Sequence, residues 1–135
     1  MTFRFLIYLL IVAFLLNFAW EFFQASLFSF GTPKSFWWCA LRDALMVLAL
    51  YLAVAAVVKN WRWGRRLSRP RLILLWVLGA VWAIALEYFS LESGRWAYTS
   101  AMPLIPFLKV GLLPVLQLII LPIAAILLTR RNLVD

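Results

Sequence analysis

Four long apolar stretches alternate with short polar ones along the chain. Phe5 to Leu27, Trp37 to Val58, Leu72 to Leu91 and Val110 to Leu128 are each long enough, as helix, to cross a hydrocarbon core of roughly 30 Å. Arg4 before the first span resembles the basic start of a signal peptide. The apolar run is too long for one, however, and Glu21 and Gln24 stand where small cleavage-site residues belong, so a retained helix is expected. Gly31-Thr32-Pro33-Lys34 reads as a turn after it, with Pro33 blocking continuation. Lys59 to Arg71 is the strongly basic run. The stretch from Leu86 to Gln117 is the main polar interruption, carrying Glu87, Glu92, Arg95, Trp96, Tyr98 and Gln117.

This pattern predicts an all-α membrane protein, a single domain of four transmembrane helices in an up-down-up-down bundle. Composition agrees. Apolar residues make up 67% of the chain and charged ones 13%, too few to cover a soluble surface. The net charge of +8 does not point to nucleic acid, because the basic residues flank the spans, where they meet lipid headgroups. Arg4, Lys59, Arg62, Arg65, Arg66, Arg69, Arg71, Arg130 and Arg131 fall on one side, against Lys34, Arg42, Arg95 and Lys109 on the other. Both termini are therefore expected in the cytoplasm, in a multi-pass membrane protein.

Within the spans the polar positions are the informative ones, since each costs free energy unless paired or hydrated. Asn17, Glu21 and Gln24 form one stripe on the first helix. Asp43 lies early in the second, and Glu87 late in the third with Glu92 beyond it. An alternating bundle brings these acids to similar depth. Ala80, Ala83, Glu87 and Ser90 share a face whose small residues admit a close neighbour. Ala49, Ala53 and Ala56 suggest a second close-packing face. Gln117 shares a stripe with Leu121 and Ala124 on the fourth helix, which Pro114 and Pro122 are expected to bend. The aromatic residues Trp20, Trp37, Trp38, Trp61, Trp63 and Trp96 read as interfacial anchors. Trp76 and Trp82 lie deeper, against lipid or a partner.

Two readings of the acids stay open. Glu21, Asp43, Glu87 and Glu92 balance Arg42, Arg95, Lys34 and Lys109, so a structural ion-pair network would satisfy all eight. Alternatively Glu21, Glu87 and Asp43 are acid–base residues of a pocket between the first, third and fourth helices. Asn17, Gln24, Arg95, Trp96, Tyr98 and Gln117 would then bind its ligand. Histidine is absent and Cys39 stands alone, so no zinc or disulfide motif exists. Phosphate loops, dinucleotide fingerprints and spaced aspartates are missing too, and no cofactor or metal is expected.

Trp20-Glu21-x-x-Gln24, Arg42-Asp43-Ala44, GRWAYTSAMPLIP and GLLPVLQ together resemble small, uncharacterised four-helix membrane proteins of bacteria, over most of the chain. Gly94-x-Trp96-x-Tyr98 followed by Gly111-x-x-Pro114-x-x-Gln117 is similar to the lycopene cyclase domains of the small membrane type. That resemblance implies an isoprenoid or carotenoid-like ligand. It departs at Leu116 and Gln117, where those domains carry paired glutamates. An amide cannot protonate a polyene, so such chemistry would need Glu21, Asp43 or Glu87. The expected function is binding or processing of a lipophilic molecule. The alternatives are an accessory subunit of a larger membrane assembly, or a small transporter that self-associates.

Overall fold

The computed structural model describes residues 2–29 and 35–133. The turn at residues 31–34, with Lys34, lies outside them, as does Asp135. Four helices dominate: α1 (Thr2–Gln24), α2 (Phe36–Val57), α3 (Arg69–Glu92) and α4 (Leu112–Asn132). All four are long and apolar enough to cross a membrane. Their bounds differ from the apolar runs by a few residues. Helix α3 begins earlier, because Ser68 precedes it and Pro70 fits its first turn. Helix α4 runs on through Arg130 and Arg131, cations suited to the negative end of the helix dipole.

Two features of the connections are absent from the hydropathy pattern. After α1 and a 3-10 turn, the short strand β1 (Phe28–Ser29) pairs antiparallel with β2 (Ala97–Tyr98), joining Phe28 to Tyr98 and Ser29 to Ala97. This clasp ties the end of α1 to the segment after α3. At the opposite end, the basic loop is pinned rather than loose. Trp63 is fully buried, stacks on Tyr51 at 5.0 Å and donates its indole N–H to the Tyr51 carbonyl at 3.0 Å. The Tyr51 hydroxyl in turn donates to the Trp61 carbonyl at 2.9 Å. Trp63 is thus core, not an interfacial anchor, whereas Trp37, Trp38 and Trp61 are exposed.

Each helix divides into an apolar and a polar length. The buried face of α1 runs Phe5, Leu9, Ala13 and then Asn17, Glu21, Gln24. Phe5 near its start packs on Tyr51 near the end of α2, and Gln24 at its end reaches Gln117 near the start of α4. The buried face of α2 is Ala40, Asp43, Ala44, Val47, Tyr51 and Val54. Ala49, Ala53 and Ala56 are exposed instead, correcting the close-packing face expected there. Their stripe is rotated away from the one that meets α1.

Helices α3 and α4 approach closely at Gly79. Pro114 sits in the first turn of α4, where its missing N–H breaks no bond, so the bend expected there has no cause. Pro122 is inside the helix and removes the donor that the Leu118 carbonyl, four residues earlier, would otherwise meet. That carbonyl faces Gly79: a Cβ built at Gly79 would stand 2.5 Å from Leu118 O. The glycine lets α3 lie against the carbonyl that the proline has freed. Gly79→Ala is expected to force the helices apart and lower stability by about 1–3 kcal/mol, read as a lower unfolding temperature in detergent. An unchanged midpoint would show that the contact gives way freely.

Candidate functional site

The polar lengths of all four helices meet at the end that carries the β1–β2 clasp. Gln117 of α4 sits at the centre. Its side-chain N–H group is within hydrogen-bonding distance of Asn17 Oδ1 (2.8 Å), Asp43 Oδ2 (3.0 Å) and Glu21 Oε1 (3.3 Å), and its Oε1 accepts from Gln24 at 3.1 Å. Gln24 also donates to Glu21 at 3.3 Å and accepts from the Trp20 indole at 2.9 Å. Asn17 passes its own N–H to the Ala13 carbonyl at 2.8 Å. The i, i+4, i+7 spacing on α1 is what puts its three polar side chains on one face. Trp20 is accordingly a hydrogen-bond donor to the cluster, beyond any anchoring role.

Glu87 of α3 forms the second part. Its Oε2 accepts from the Tyr98 hydroxyl at 2.5 Å and the Trp96 indole at 3.1 Å. Tyr98 in turn accepts from the Gly111 backbone N–H at 3.0 Å, so one phenol couples α3 to the entrance of α4. Trp96 is buried edge-on against Phe28 of β1, with 5.9 Å between ring centroids. The clasp thereby positions both of the donors that hold Glu87. Ser90, one turn further, is buried, and its hydroxyl has no hydrogen-bond partner among the described residues.

Arg42 is the cation of the site. It is partly exposed, donates through Nε and Nη2 to Asp43 Oδ1 at 3.0 and 2.8 Å, and lies over the Trp96 ring at 5.5 Å. Arg95, expected in this role, is exposed and lies over Phe89 at 5.2 Å. Glu92 is exposed too, outside the cluster. Of the expected ion-pair network, Lys34 lies outside the described residues, and among the described residues Arg42–Asp43 is the only salt bridge. The chain turns sharply at Ser93-Gly94, with Gly94 at φ +73°, and that turn carries Arg95 outward while Trp96 points in. Arg42 was legible as a cation beside Asp43, but nothing in the spacing favoured it over Arg95.

Between these groups lies a small cavity of about 30 Å³. Glu21, Arg42, Asp43, Glu87, Trp96 and Gln117 line it, together with Cys39 and Pro114. Helix α2 supplies a wall, so the pocket is not confined to α1, α3 and α4 as expected. A volume of this kind above about 10–15 Å³ is enough to hold water. Among the described residues no three His, Cys, Asp or Glu side chains are grouped to hold a metal ion.

Gln117→Leu should leave several buried partners unpaired, at about 1–3 kcal/mol for each group left unsatisfied. A double-mutant cycle between Gln24→Ala and Gln117→Ala in thermal unfolding should show coupling above about 0.5 kcal/mol. Additive effects would mean that the bond between them contributes nothing. Tyr98, outside the spans, supplies the pH dependence. Burial and the bond to Glu87 hold its phenol well above the usual tyrosine range. A phenol raised in this way stabilises the fold below its ordinary pKa of about 10, and the contribution fades as pH rises beyond that. Stability above that pH should therefore fall more steeply in the wild type than in Tyr98→Phe; parallel profiles would contradict this. No protein-family model, curated protein or solved structure matches the chain, so the reading of this site rests on its own geometry.

Proposed function

We propose that this chain is a multi-pass membrane protein whose polar site binds or processes a lipophilic molecule of isoprenoid or carotenoid-like kind. The observation that carries the reading is the meeting of Glu21, Asp43 and Glu87 from three helices around one cavity, with Arg42 the single cation beside them among the described residues. Carboxyl groups at membrane depth are expensive, and a bundle held together only by packing has no need of three. Glu87 is the candidate acid–base residue: two donors fix its Oε2, while Oε1 has no hydrogen-bond partner among the described residues. Glu21 and Asp43 are secondary candidates, already engaged by Gln117. Trp96 and Tyr98 hold Glu87 in place and close the site, as lid residues would. The partial likeness to lycopene cyclase domains supports an isoprenoid ligand by analogy alone.

Orientation follows from charge. In an up-down-up-down bundle Arg4, the Lys59–Arg71 loop and Arg130–Arg131 share one side, which the excess of basic residues assigns to the cytoplasm. The polar site then faces the opposite leaflet of a bacterial inner membrane. A second reading, an accessory subunit of a larger assembly, draws on the degree to which Asn17, Gln24, Glu21, Asp43 and Gln117 satisfy one another. A transporter reading has no comparable support.

Glu87→Gln keeps the shape of the side chain and removes its charge. It should leave the unfolding temperature nearly unchanged but lose the lipophile that mass spectrometry finds in the purified wild type. Equal retention in the mutant would contradict the lipophile reading. Stoichiometric copurification with a large membrane assembly in mild detergent, with no bound lipid, would favour the subunit.

A further inference from the structure

A second cavity, apolar and about 220 Å³ in volume, lies between α2 and α3. Its walls are Met46, Ala49, Leu50 and Ala53 on α2, and Leu78 and Trp82 on α3. It lies next along both helices after the polar pocket, with which it shares no lining residue. On α2 the face that begins as Cys39, Arg42 and Asp43 carries on at helical spacing as Met46, Ala49, Leu50 and Ala53. On α3, Glu87, Leu86 and Ala83 in the pocket are followed by Trp82 and Leu78 in the groove. The seam between two helices thus changes from hydrogen-bonding to hydrocarbon within a turn. A groove of this size exceeds the dry apolar cavity of about 150 Å³ that suffices for benzene.

From this seam we infer that the site takes an uncharged, single-chain lipid alcohol, with its hydroxyl in the polar pocket and its hydrocarbon chain in the α2–α3 groove. The inference rests on the lipophile reading above and specifies the head, the tail and the side of access. The head follows from size and charge. A space of about 30 Å³ admits a hydroxyl. Among the described residues three carboxyl groups face one guanidinium, which disfavours an anionic head. Glu87 Oε1 and Arg42 Nη1 have no hydrogen-bond partners among the described residues. A hydroxyl can donate to the first and accept from the second. The tail follows from the exposed alanines, which make the groove by failing to fill it. A neighbouring helix would fill the groove too, but would leave both polar atoms unmet. Because Ala49, Ala53 and Trp82 are exposed on the bundle surface, the chain enters sideways, from the membrane.

The test uses the full chain in vesicles of zwitterionic phospholipid, with a long-chain primary alcohol carrying a mid-chain diazirine as probe. Light should attach the probe to peptides of α2 and α3 around Met46, Leu78 and Trp82. Unlabelled alcohol should displace it, and the matching fatty acid should not. Ala53→Leu, and independently Ala49→Leu, fill the groove from its exposed side and should lose the label while keeping the unfolding temperature. Labelling spread evenly over the four helices overturns the inference, as does equal competition by the fatty acid. If Glu87→Gln loses the probe while both leucine variants keep it, the groove is wrong and the pocket reading survives. If all three variants keep it, both fail. A change in oligomeric state in the leucine variants, without loss of a specific label, identifies the groove as a helix-docking face and also overturns the proposal.

Discussion

Within a hydrocarbon layer no water is present to complete a hydrogen bond, so each buried polar side chain must find its partner inside the bundle. Gln117 meets that constraint for four other helical positions at once. Its amide supplies hydrogen-bond donors to an asparagine and two carboxyls, and its carbonyl receives Gln24. Remove it and the polar faces of α1 and α2 lose the group they share on α4. The apolar half of the bundle can pack in many ways, because leucine and alanine surfaces are non-directional. The polar half has far fewer solutions, so it sets the register in which the helices meet.

The two ends of the bundle are fixed by different physics. At the basic end, Tyr51 and Trp63 stack and exchange hydrogen bonds with loop and helix backbone, sealing the core with rings. Gly64 lies so close to the Tyr51 ring that a Cβ there would stand 2.8 Å from it. At the polar end, the β1–β2 clasp fixes the chain ends that flank Glu87's donors. Rigid anchoring at both ends leaves the middle of the α2–α3 seam as the place where helices stand apart, and the 220 Å³ groove lies there.

The helices and the depth of the polar residues were legible because hydropathy and helical spacing are local properties. Asn17, Glu21, Gln24, Asp43, Glu87 and Gln117 meet as their positions along the spans implied. What the sequence hid depended on contacts distant along the chain. Arg42 and Arg95 are the same residue type near the same end, and the turn at Gly94, which no helical rule describes, decided which faces inward. Trp63 and Trp96 carry the composition of interfacial anchors, yet their indole donors are drawn into the fold by the Tyr51 carbonyl and Glu87. The alanines of α2 looked like a contact surface because small residues permit close approach. Permission is not contact, and the partner helix settled elsewhere, at Gly79.

The identity of residue 117 separates two kinds of chemistry. An acid at that position could donate a proton, whereas here an amide ties Asn17, Glu21 and Asp43 together without itself exchanging one. Proton chemistry, if the site performs any, therefore falls to a carboxyl held from outside the spans. Glu87 fits: its donors come from the segment after α3, and its second oxygen has no hydrogen-bond partner among the described residues. A carboxyl oriented by two donors on one oxygen presents the other in a fixed direction, which is the condition for selective hydrogen bonding as well as for proton transfer. Binding and catalysis thus make the same demand on this residue. What distinguishes them is whether the bound molecule carries a bond that a proton can change, and that is a property of the ligand.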